Sequence, residues 1–564
     1  ARTLNESLPL HERVVTDADL IGHRVEHARL APPSHAIVVL RPAVEMIRDL
    51  PFSGTAYLWP DADGITSSLV LLAGVLFAAC AEPDGPGTGE TPAADRSAAA
   101  DGVSATPNIV VVLVDDLRWD EFGLAGHPYA ETPNIDRIGE EGARFGNAFH
   151  AVPLCSPNRA SLLTGQYPSR HGIIDNVARN LASHQLQTFP QALQAHGYET
   201  AFIGKWPMGN DPTPRPGFDT WVALPGQGRT IDPILFEEGA LQEVPGYVTD
   251  ILTDRALTFV NQERDSSFLL FLSHKGVHPD ARQLDDGSVD LSYPMTYIPA
   301  PRHLGRYEDE VFPRRGNVPT TADELGSAAA RRALAIRDSP LITDAFGEDF
   351  LDPLTRESTI RRRAEMLLAI DEGLGSVMAA LEEQGVLDET LILFTSDNGY
   401  FFGEHGFSIE RRMPYDESIR SPILVRYPPA IEAGLQVDDL ALSIDVAPTL
   451  LDFAGAPIGD HIQGRSLMPL LTGTDVPWRE SVMVEFYTYE NPMPWLTDMD
   501  YRAVRTEQFK YIHWNRHPDE LYDLHADPLE TTNLIDEPGM EEVVEELRAE
   551  LGELTLEALE LSGG

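Results

Sequence analysis

The sequence predicts an α/β protein built on a mostly parallel sheet. Beyond residue 107, apolar runs of strand length alternate with segments of helical periodicity, which is the order expected of such a sheet. The run from Ile109 to Val114 is continuous and β-branched, as in a strand that is buried on both faces. A length of 564 residues exceeds one small core and predicts a large domain with a smaller one.

Three further strands and one long helix support this prediction. The runs at 199–203, 268–272 and 391–394 are apolar and of strand length. Between Met366 and Leu381, apolar residues recur at helical spacing, which predicts a helix that packs on the core.

The charge of the chain excludes some partners. It carries 89 acidic and 42 basic residues, for a formal net charge of −47. This balance opposes binding to nucleic acid or to an anionic membrane surface. An anionic substrate would also be repelled at long range, so its pocket would need locally concentrated cations.

Residues 1–80 are predicted to form a leader. The 16 residues from Ile65 to Cys80 are uncharged and apolar, the length of a signal-peptide core and short for a membrane span. Their end, Phe77-Ala78-Ala79-Cys80, resembles the lipid-attachment box of bacterial lipoproteins. We therefore expect export to the periplasm or cell surface with a lipid anchor at Cys80; the alternative is a short buried helix. Residues 81–106, rich in Pro, Gly, Ala and Asp, read as a flexible tether.

The second of only two cysteines, Cys155, stands at a predicted helix start. Pro157 suits the first turn of a helix and Gly165 suits its C-terminal cap. Cys155 would then lie at a helix N-terminus, where anions bind. The alternative is a small buried cysteine beside a helix cap. Because the two cysteines are assigned separate roles, no disulfide framework is expected.

Oxygen donors follow two of the strands. Asp115 and Asp116 come after the first strand, and Asp397 and Asn398 after the run at 391–394. Either pair alone is typical of a turn or a helix cap. Together they would meet at the carboxyl edge of the sheet, where three carboxylates repel unless a cation compensates them. Oxygen-only ligands favour Ca²⁺, with Mg²⁺ as the alternative, over zinc.

Basic residues follow two other strands. Lys205 comes after the run at 199–203, and Lys275 and His278 come after the run at 268–272. Taken singly, such residues are more often solvated or satisfied in a loop than catalytic.

The run Cys155-Ser156-Pro157-Asn158-Arg159, continued to Leu163-Thr164-Gly165, resembles the signature of sulfatases of the alkaline-phosphatase superfamily. In that family a maturation enzyme oxidises the cysteine to formylglycine, and a hydroxyl of the hydrated aldehyde attacks the sulfur of a sulfate ester. The resemblance covers residues 107–534. It implies a large, mixed, mostly parallel sheet between helices at 107–480, and a small antiparallel C-terminal domain at 481–564.

The resemblance also assigns roles to residues. It implies that the metal ligands are Asp115, Asp116, Asp397 and Asn398. Arg159 and the metal would hold the diol derived from Cys155, Lys205 and Arg411 would bind the sulfate, and His278 would protonate the leaving alcohol.

The chain departs from the family at two positions. Pro207 replaces a histidine that hydrogen-bonds the formylglycine diol, so that bond must be absent or supplied elsewhere. A second active-site lysine corresponds to Arg411 or its neighbour Arg412, which keep the charge with different geometry.

These features predict the hydrolysis of sulfate monoesters. The segments 216–221, 226–228 and 246–250 are similar to carbohydrate sulfatases related to N-acetylglucosamine-6-sulfatase, which favours a sulfated glycan as the substrate. Two alternatives remain open: a phosphate or phosphonate ester hydrolase of the same superfamily, and a tethered glycan-binding protein with impaired catalysis.

Overall fold

The computed structural model divides into two compact units, Ala1–Arg96 and Ser97–Gly564. It describes three strands of the first unit, and residues 106–559 of the second except 210, 283, 285, 287, 289, 291, 292, 294, 320–323, 341–355, 409 and 489–493. The described strands of the first unit are β1 (Ala36–Val39), β2 (Tyr57–Pro60) and β3 (Ser67–Ala73), which form an antiparallel sheet in the order β1-β3-β2.

Strand β3 lies within the apolar run that was predicted to be a signal-peptide core. Cys80 and residues 81–105 lie outside the described residues. Lipid attachment at Cys80 and a flexible tether therefore stay predictions. Among the described helices, none is both long enough and apolar enough to cross a bilayer.

The second unit contains a ten-stranded mixed sheet and a separate four-stranded sheet. The described strands of this unit are β4 (Asn108–Val114), β5 (Ala143–Phe145), β6 (Ala148–Phe149), β7 (Glu199–Lys205), β8 (Thr220–Leu224), β9 (Ile234–Glu237), β10 (Ala240–Glu243), β11 (Phe268–His274), β12 (Thr390–Ser396), β13 (Ile423–Arg426), β14 (Leu435–Val437), β15 (Ala441–Leu442), β16 (Ser481–Phe486), β17 (Tyr501–Thr506), β18 (Phe509–Trp514) and β19 (Glu520–Asp523).

The large sheet has the order β10-β9-β8-β7-β11-β4-β12-β13-β5-β14. Its centre, from β8 to β12, is parallel, whereas β9, β10 and β13 run antiparallel to their neighbours. The four strands predicted from apolar runs are β4, β7, β11 and β12, and they are adjacent in this parallel centre. The predicted mostly parallel sheet is confirmed.

Helices cover both faces of the large sheet. The described α-helices are α1 (Pro133–Glu140), α2 (Cys155–Thr164), α3 (Pro168–His171), α4 (Asn180–Gln185), α5 (Phe189–Ala195), α6 (Val248–Val260), α7 (Ala328–Arg337), α8 (Glu357–Glu383), α9 (Asp416–Ile419), α10 (Val446–Phe453), α11 (Met468–Leu471) and α12 (Glu541–Leu559). Alternate residues of β4 contribute to two cores, one shared with α2, α5 and α10 and the other with α1, α6 and α8. This two-sided burial explains why β4 is apolar throughout.

The small sheet has the antiparallel order β16-β17-β18-β19 and packs with α12 in a third core. It lies in the segment where a small C-terminal sheet domain was predicted, and the fold class is confirmed. The domain boundaries at 480 and 481 stay a prediction.

A buried charge cluster joins the small sheet to the large one. The ammonium group of Lys510, on β18, contacts the carboxylates of Asp416 (2.6 Å) and Glu530 (2.5 Å). Asp416 begins α9, and the next carbonyl in α9, of Glu417, accepts the N–H of Tyr400 (2.9 Å). Lys510 therefore helps to fix the loop that carries Asn398.

Replacement of Lys510 by methionine is expected to destabilise the protein by about 3–5 kcal/mol, because it leaves buried carboxylates without their cation. Lys510 is fully buried, and burial together with Asp416 raises the pKa of Glu530 to about 7 even with this lysine present. Thermal unfolding should show a lower Tm for Lys510→Met, and adding Glu530→Gln should recover a large part of the loss. A single variant that melts with the wild type would contradict the role of the cluster.

Candidate active site

The predicted site residues meet at the carboxyl edge of the parallel strands. Ser396 of β12 and His274 of β11 both lie opposite Val114 of β4 in the strand register. The residues that follow these strands, beginning with Asp115, Lys275 and Asp397, therefore leave the sheet at the same level.

The four predicted metal ligands form one hydrogen-bonded group. The N–H of Asp116 donates to Oδ1 of Asp397 (3.0 Å), and Nδ2 of Asn398 donates to Oδ1 of Asp116 (2.7 Å). Asp116 adopts a left-handed backbone conformation (φ 61°), so the chain turns sharply between the two adjacent carboxylates. Asp115, Asp116, Asp397 and Asn398 are all fully buried.

Three oxygens of this group have the properties expected of cation ligands. Oδ1 of Asp115, Oδ2 of Asp116 and Oδ1 of Asn398 are buried and lack a hydrogen-bond partner among the described residues. Burial raises the pKa of Asp397 to about 7, against the pull of Arg159, and the charge of Asp115 adds to the rise. A hard divalent cation would satisfy these unpartnered oxygens, so the residues fit such an ion.

Arg159 binds the carboxylates from one side. Its Nε donates to Oδ2 of Asp397 (2.7 Å), and its Nη2 lies 3.4 Å from Oδ1 of Asp115. Its Nη1 donates to the carbonyl of Lys205 (3.0 Å) and to Oγ of Ser273 (2.6 Å). Arg159 thus ties α2 to the ends of β4, β7, β11 and β12.

Cys155 is the first residue of α2, and Gly165 caps the helix in a left-handed conformation, as predicted. The Sγ of Cys155 lies within 4.8 Å of ligand atoms of Asp115 and Asp397, and within the same distance of those of Asp116 and His278. Burial raises the pKa of the Cys155 thiol to about 12, although Lys205 opposes the rise. A thiol in that state is a weak nucleophile.

Two lysines approach the group from β7 and β11. The ammonium group of Lys205 contacts Oδ2 of Asp115. Burial works against ionisation of Asp115, but Lys205, His278 and Arg159 hold the pKa of that carboxyl well below its usual range. Lys275 donates to the carbonyl of Pro279 (2.8 Å), and burial lowers its pKa to about 8. Lys275 therefore shapes the loop of His278.

His278 and Arg411 lie together beside Asp116. Nδ1 of His278 donates to the carbonyl of Pro279 (2.7 Å), so its Nε2 accepts a hydrogen bond from Nη2 of Arg411 (3.2 Å). Nε of Arg411 lies 3.2 Å from Oδ1 of Asp116. Arg412 instead pairs with Glu410 (2.9 Å). Of the two arginines that the sequence left open, Arg411 is the one in the site.

Pro207 lies beside the first turn of α2. Its carbonyl accepts the hydroxyl of Ser156 (3.0 Å), whereas its ring can offer no side-chain hydrogen bond. At the position where the family has a histidine, this hydrogen bond to α2 therefore comes from a backbone carbonyl and not from a side chain.

Sequence reasoning missed three supporting residues. Oγ of Ser273 donates to the carbonyl of Lys205 (2.8 Å), Nδ2 of Asn158 donates to the carbonyl of Asp397 (2.7 Å), and Arg363 donates to the carbonyl of Asp116 (2.6 Å). Ser273 directly follows a predicted strand and Asn158 lies inside the recognised motif, so position could have indicated both. Arg363 lies on α8, far from Asp116 in the sequence, and no sequence pattern linked the two residues.

Comparisons with known proteins agree with this geometry. The sulfatase family matches residues 107–456, and the family described as N-sulphoglucosamine sulphohydrolase, C-terminal, matches residues 403–557. The chain is 33% identical over 484 residues to the N-acetylglucosamine-6-O-sulfatase of Bacteroides thetaiotaomicron, covering 76% of this chain and 82% of that protein. It is 29% identical over 404 residues to the N-acetylglucosamine-6-sulfatase of Homo sapiens, covering 67% of each.

The chain is similar in fold and sequence to a protein whose structure was solved in complex with its substrate, D-glucosamine-2-N,6-O-disulfate. The match has a TM-score of 0.67 and 31% identity, and it covers 80% of this chain and 98% of that chain.

The fold of this chain, with buried carboxylates at the carboxyl edge of the large sheet, defines a hydrolase of the alkaline-phosphatase superfamily. Within that superfamily the chain belongs to the sulfatase family, and it is an enzyme that hydrolyses sulfate esters.

Replacement of Asp397 by asparagine is expected to lower the affinity for Ca²⁺ or Mg²⁺ by about a hundredfold or more, because a charged ligand becomes neutral. Metal content after dialysis and the rise in Tm on adding either ion report this loss without reference to activity, which should also disappear. The matched control is Asp371→Asn, a buried carboxylate of α8 that accepts the N–H groups of Asn134 and Ile135. Stoichiometric metal in Asp397→Asn would contradict the assigned site.

Proposed function

We propose that this enzyme removes sulfate from a sulfated carbohydrate of the glucosamine type, with a formylglycine made from Cys155 and one bound divalent cation. The observation that carries the proposal is the position of Cys155, with its Sγ within 4.8 Å of ligand atoms of both Asp115 and Asp397. The substrate class is supported by the relative named N-acetylglucosamine-6-O-sulfatase and by the neighbour in complex with a glucosamine disulfate.

The cations of the site suit an anionic ester. Arg159, Lys205 and Arg411 meet three carboxylates, in a chain whose net charge is otherwise −47. Addition of a divalent cation makes this region positive, which supplies the local attraction that the whole molecule lacks. We assign calcium, with magnesium as the alternative, in preference to zinc, because every proposed donor is an oxygen.

The formylglycine, in its hydrated form, supplies the hydroxyl nucleophile. Arg159 orients that residue through its bonds to Asp397 and Ser273, and the helix N-terminus of α2 favours the negative charge that develops there. Lys205 and Arg411 neutralise the sulfuryl oxygens, Lys205 as a point charge and Arg411 as a fork of donors. Since Pro207 offers no hydrogen bond from its side chain, orientation depends more heavily on Arg159.

His278 is assigned as the proton donor to the leaving alcohol. Burial and the charges of Lys205 and Arg411 hold the pKa of His278 well below its usual range, and its Nε2 faces Arg411. A bound sulfate ester places negative charge beside Nε2 and competes for Arg411, and both effects favour the protonated ring. The proton would then lie on the nitrogen that faces the ester oxygen.

Mass spectrometry of the peptide containing Cys155 tests the proposed nucleophile. Protein produced with a formylglycine-generating enzyme should carry the aldehyde at this position, and Cys155→Ser protein from the same cells is the control for other oxidation. Unmodified thiol in protein that still hydrolyses sulfate esters would overturn the assignment. Aldehyde with turnover of phosphonate esters alone would instead favour the alternative hydrolase.

Replacement of His278 by alanine is expected to slow the release of sulfate from sugar esters by about 10²–10⁴-fold, because a sugar alkoxide leaves poorly without a proton. An activated aryl sulfate needs little protonation and should lose much less. Comparison of kcat on the two substrates gives the answer, with His303→Ala, which removes a histidine paired with Glu372, as the control. Equal losses on both substrates would contradict the assignment of His278 as the acid.

A further inference from the structure

A pocket of about 590 Å³ opens beside the active-site edge of the sheet. One wall is the loop that follows β8, and the other is the chain that follows His278. Arg229 lines the first wall, and Arg282 and Tyr293 line the second.

The position of the pocket follows from strand order. Leu224, the last residue of β8, lies opposite Lys205 of β7, so the pocket loop and the sulfate-binding lysine leave the sheet side by side. Strand β8 is two positions from β11 and three from β4, which corresponds to about 10 Å and about 14 Å. One wall of the pocket therefore leaves the sheet about 10–14 Å from the strands that carry the assigned catalytic residues, within reach of other parts of the same substrate.

Asp280 forms hydrogen bonds with both walls of the pocket and lies in the loop that carries His278. Its Oδ1 accepts the N–H (2.7 Å) and hydroxyl (3.0 Å) of Thr230, and its Oδ2 accepts the hydroxyl of Tyr293 (2.7 Å). Asp280 is two residues from His278, or at most about 7 Å along the chain. A ligand in the pocket would thus be held in register with His278.

The pocket chemistry combines an aromatic ring with two arginines. Arg229 pairs with Glu243 through Nη2 (2.7 Å), while its Nε is buried without a hydrogen-bond partner among the described residues. Arg282 lies 3.5 Å from Asp290, and its side chain is 67% exposed. Each guanidinium has five N–H donors, so both retain donors for a ligand.

We propose that this pocket binds a second anionic group of the glycan, a sulfate or a carboxylate, through Arg229 and Arg282, while the ester to be cleaved lies at Cys155. Planar guanidinium groups bind the oxygens of such anions in pairs, and the ring of Tyr293 offers a face for a sugar. This inference rests on the proposed function, because it assigns the pocket to the same substrate.

Kinetics on matched substrates test the inference. Arg229→Gln and Arg282→Gln should each raise KM for a doubly anionic substrate about tenfold, and the double variant about a hundredfold, with kcat unchanged. A glucosamine carrying 6-O-sulfate alone and an aryl sulfate should be unaffected. A 2-N,6-O-disulfated monosaccharide and a 6-O-sulfated disaccharide with a uronic acid separate a second sulfate from a carboxylate as the group that is bound.

The matched control is Arg255→Gln, which removes an arginine paired with Glu237 (2.7 Å) outside the pocket lining. A double variant that behaves like this control, or that loses affinity equally for the singly sulfated substrate, would overturn the inference.

Binding to the inert Cys155→Ala protein separates this inference from the proposed function. Calorimetry should give a weaker affinity for the disulfated sugar when both arginines are replaced in that background, whether or not the wild type turns the sugar over. Equal affinity with and without the arginines, or no binding to either protein, would overturn the pocket assignment. Absence of turnover with arginine-dependent binding would overturn only the proposed hydrolysis of this sugar.

Discussion

The structure depends on the compensation of buried negative charge at the carboxyl edge of the large sheet. Asp115, Asp116 and Asp397 are fully buried within one hydrogen-bonded group, an arrangement that is unfavourable unless cations lie beside it. Arg159 and Lys205 supply part of that compensation. The ends of four parallel strands and the start of α2 are held together by these contacts.

The same balance of buried charges links the stability of the fold to the chemistry of the site. We propose that the cations that neutralise carboxylates in the resting protein also bind the sulfate ester, so folding prepares the site for an anion. Arg411 shows the principle, because it contacts both Asp116 and His278. The small C-terminal sheet helps to hold the site in place, because its Lys510 contacts Asp416.

Much of this could be predicted from the sequence, because parallel strands deliver their following residues to one edge. The convergence of Asp115, Asp397, Lys205 and His278 needed only the recognition of four apolar runs. The sequence favoured Arg411 over Arg412 by resemblance alone, whereas the contact that distinguishes them in the structure is the pairing of Arg412 with Glu410. Resemblance drew attention to residues 226–228, but the pocket they line could not be predicted, since Asp280 joins Thr230 to Tyr293 only in three dimensions.

The measurement that tests the central claim most directly is the release of inorganic sulfate from glucosamine 6-O-sulfate by matured, calcium-loaded protein. We expect the wild type to release sulfate and the Cys155→Ala variant to release none, although the two proteins have the same Tm. Sulfate release that survives in Cys155→Ala would contradict the account, because the site would then act without the group at the start of α2. Absence of release from every sulfate ester by the matured wild type would contradict it equally.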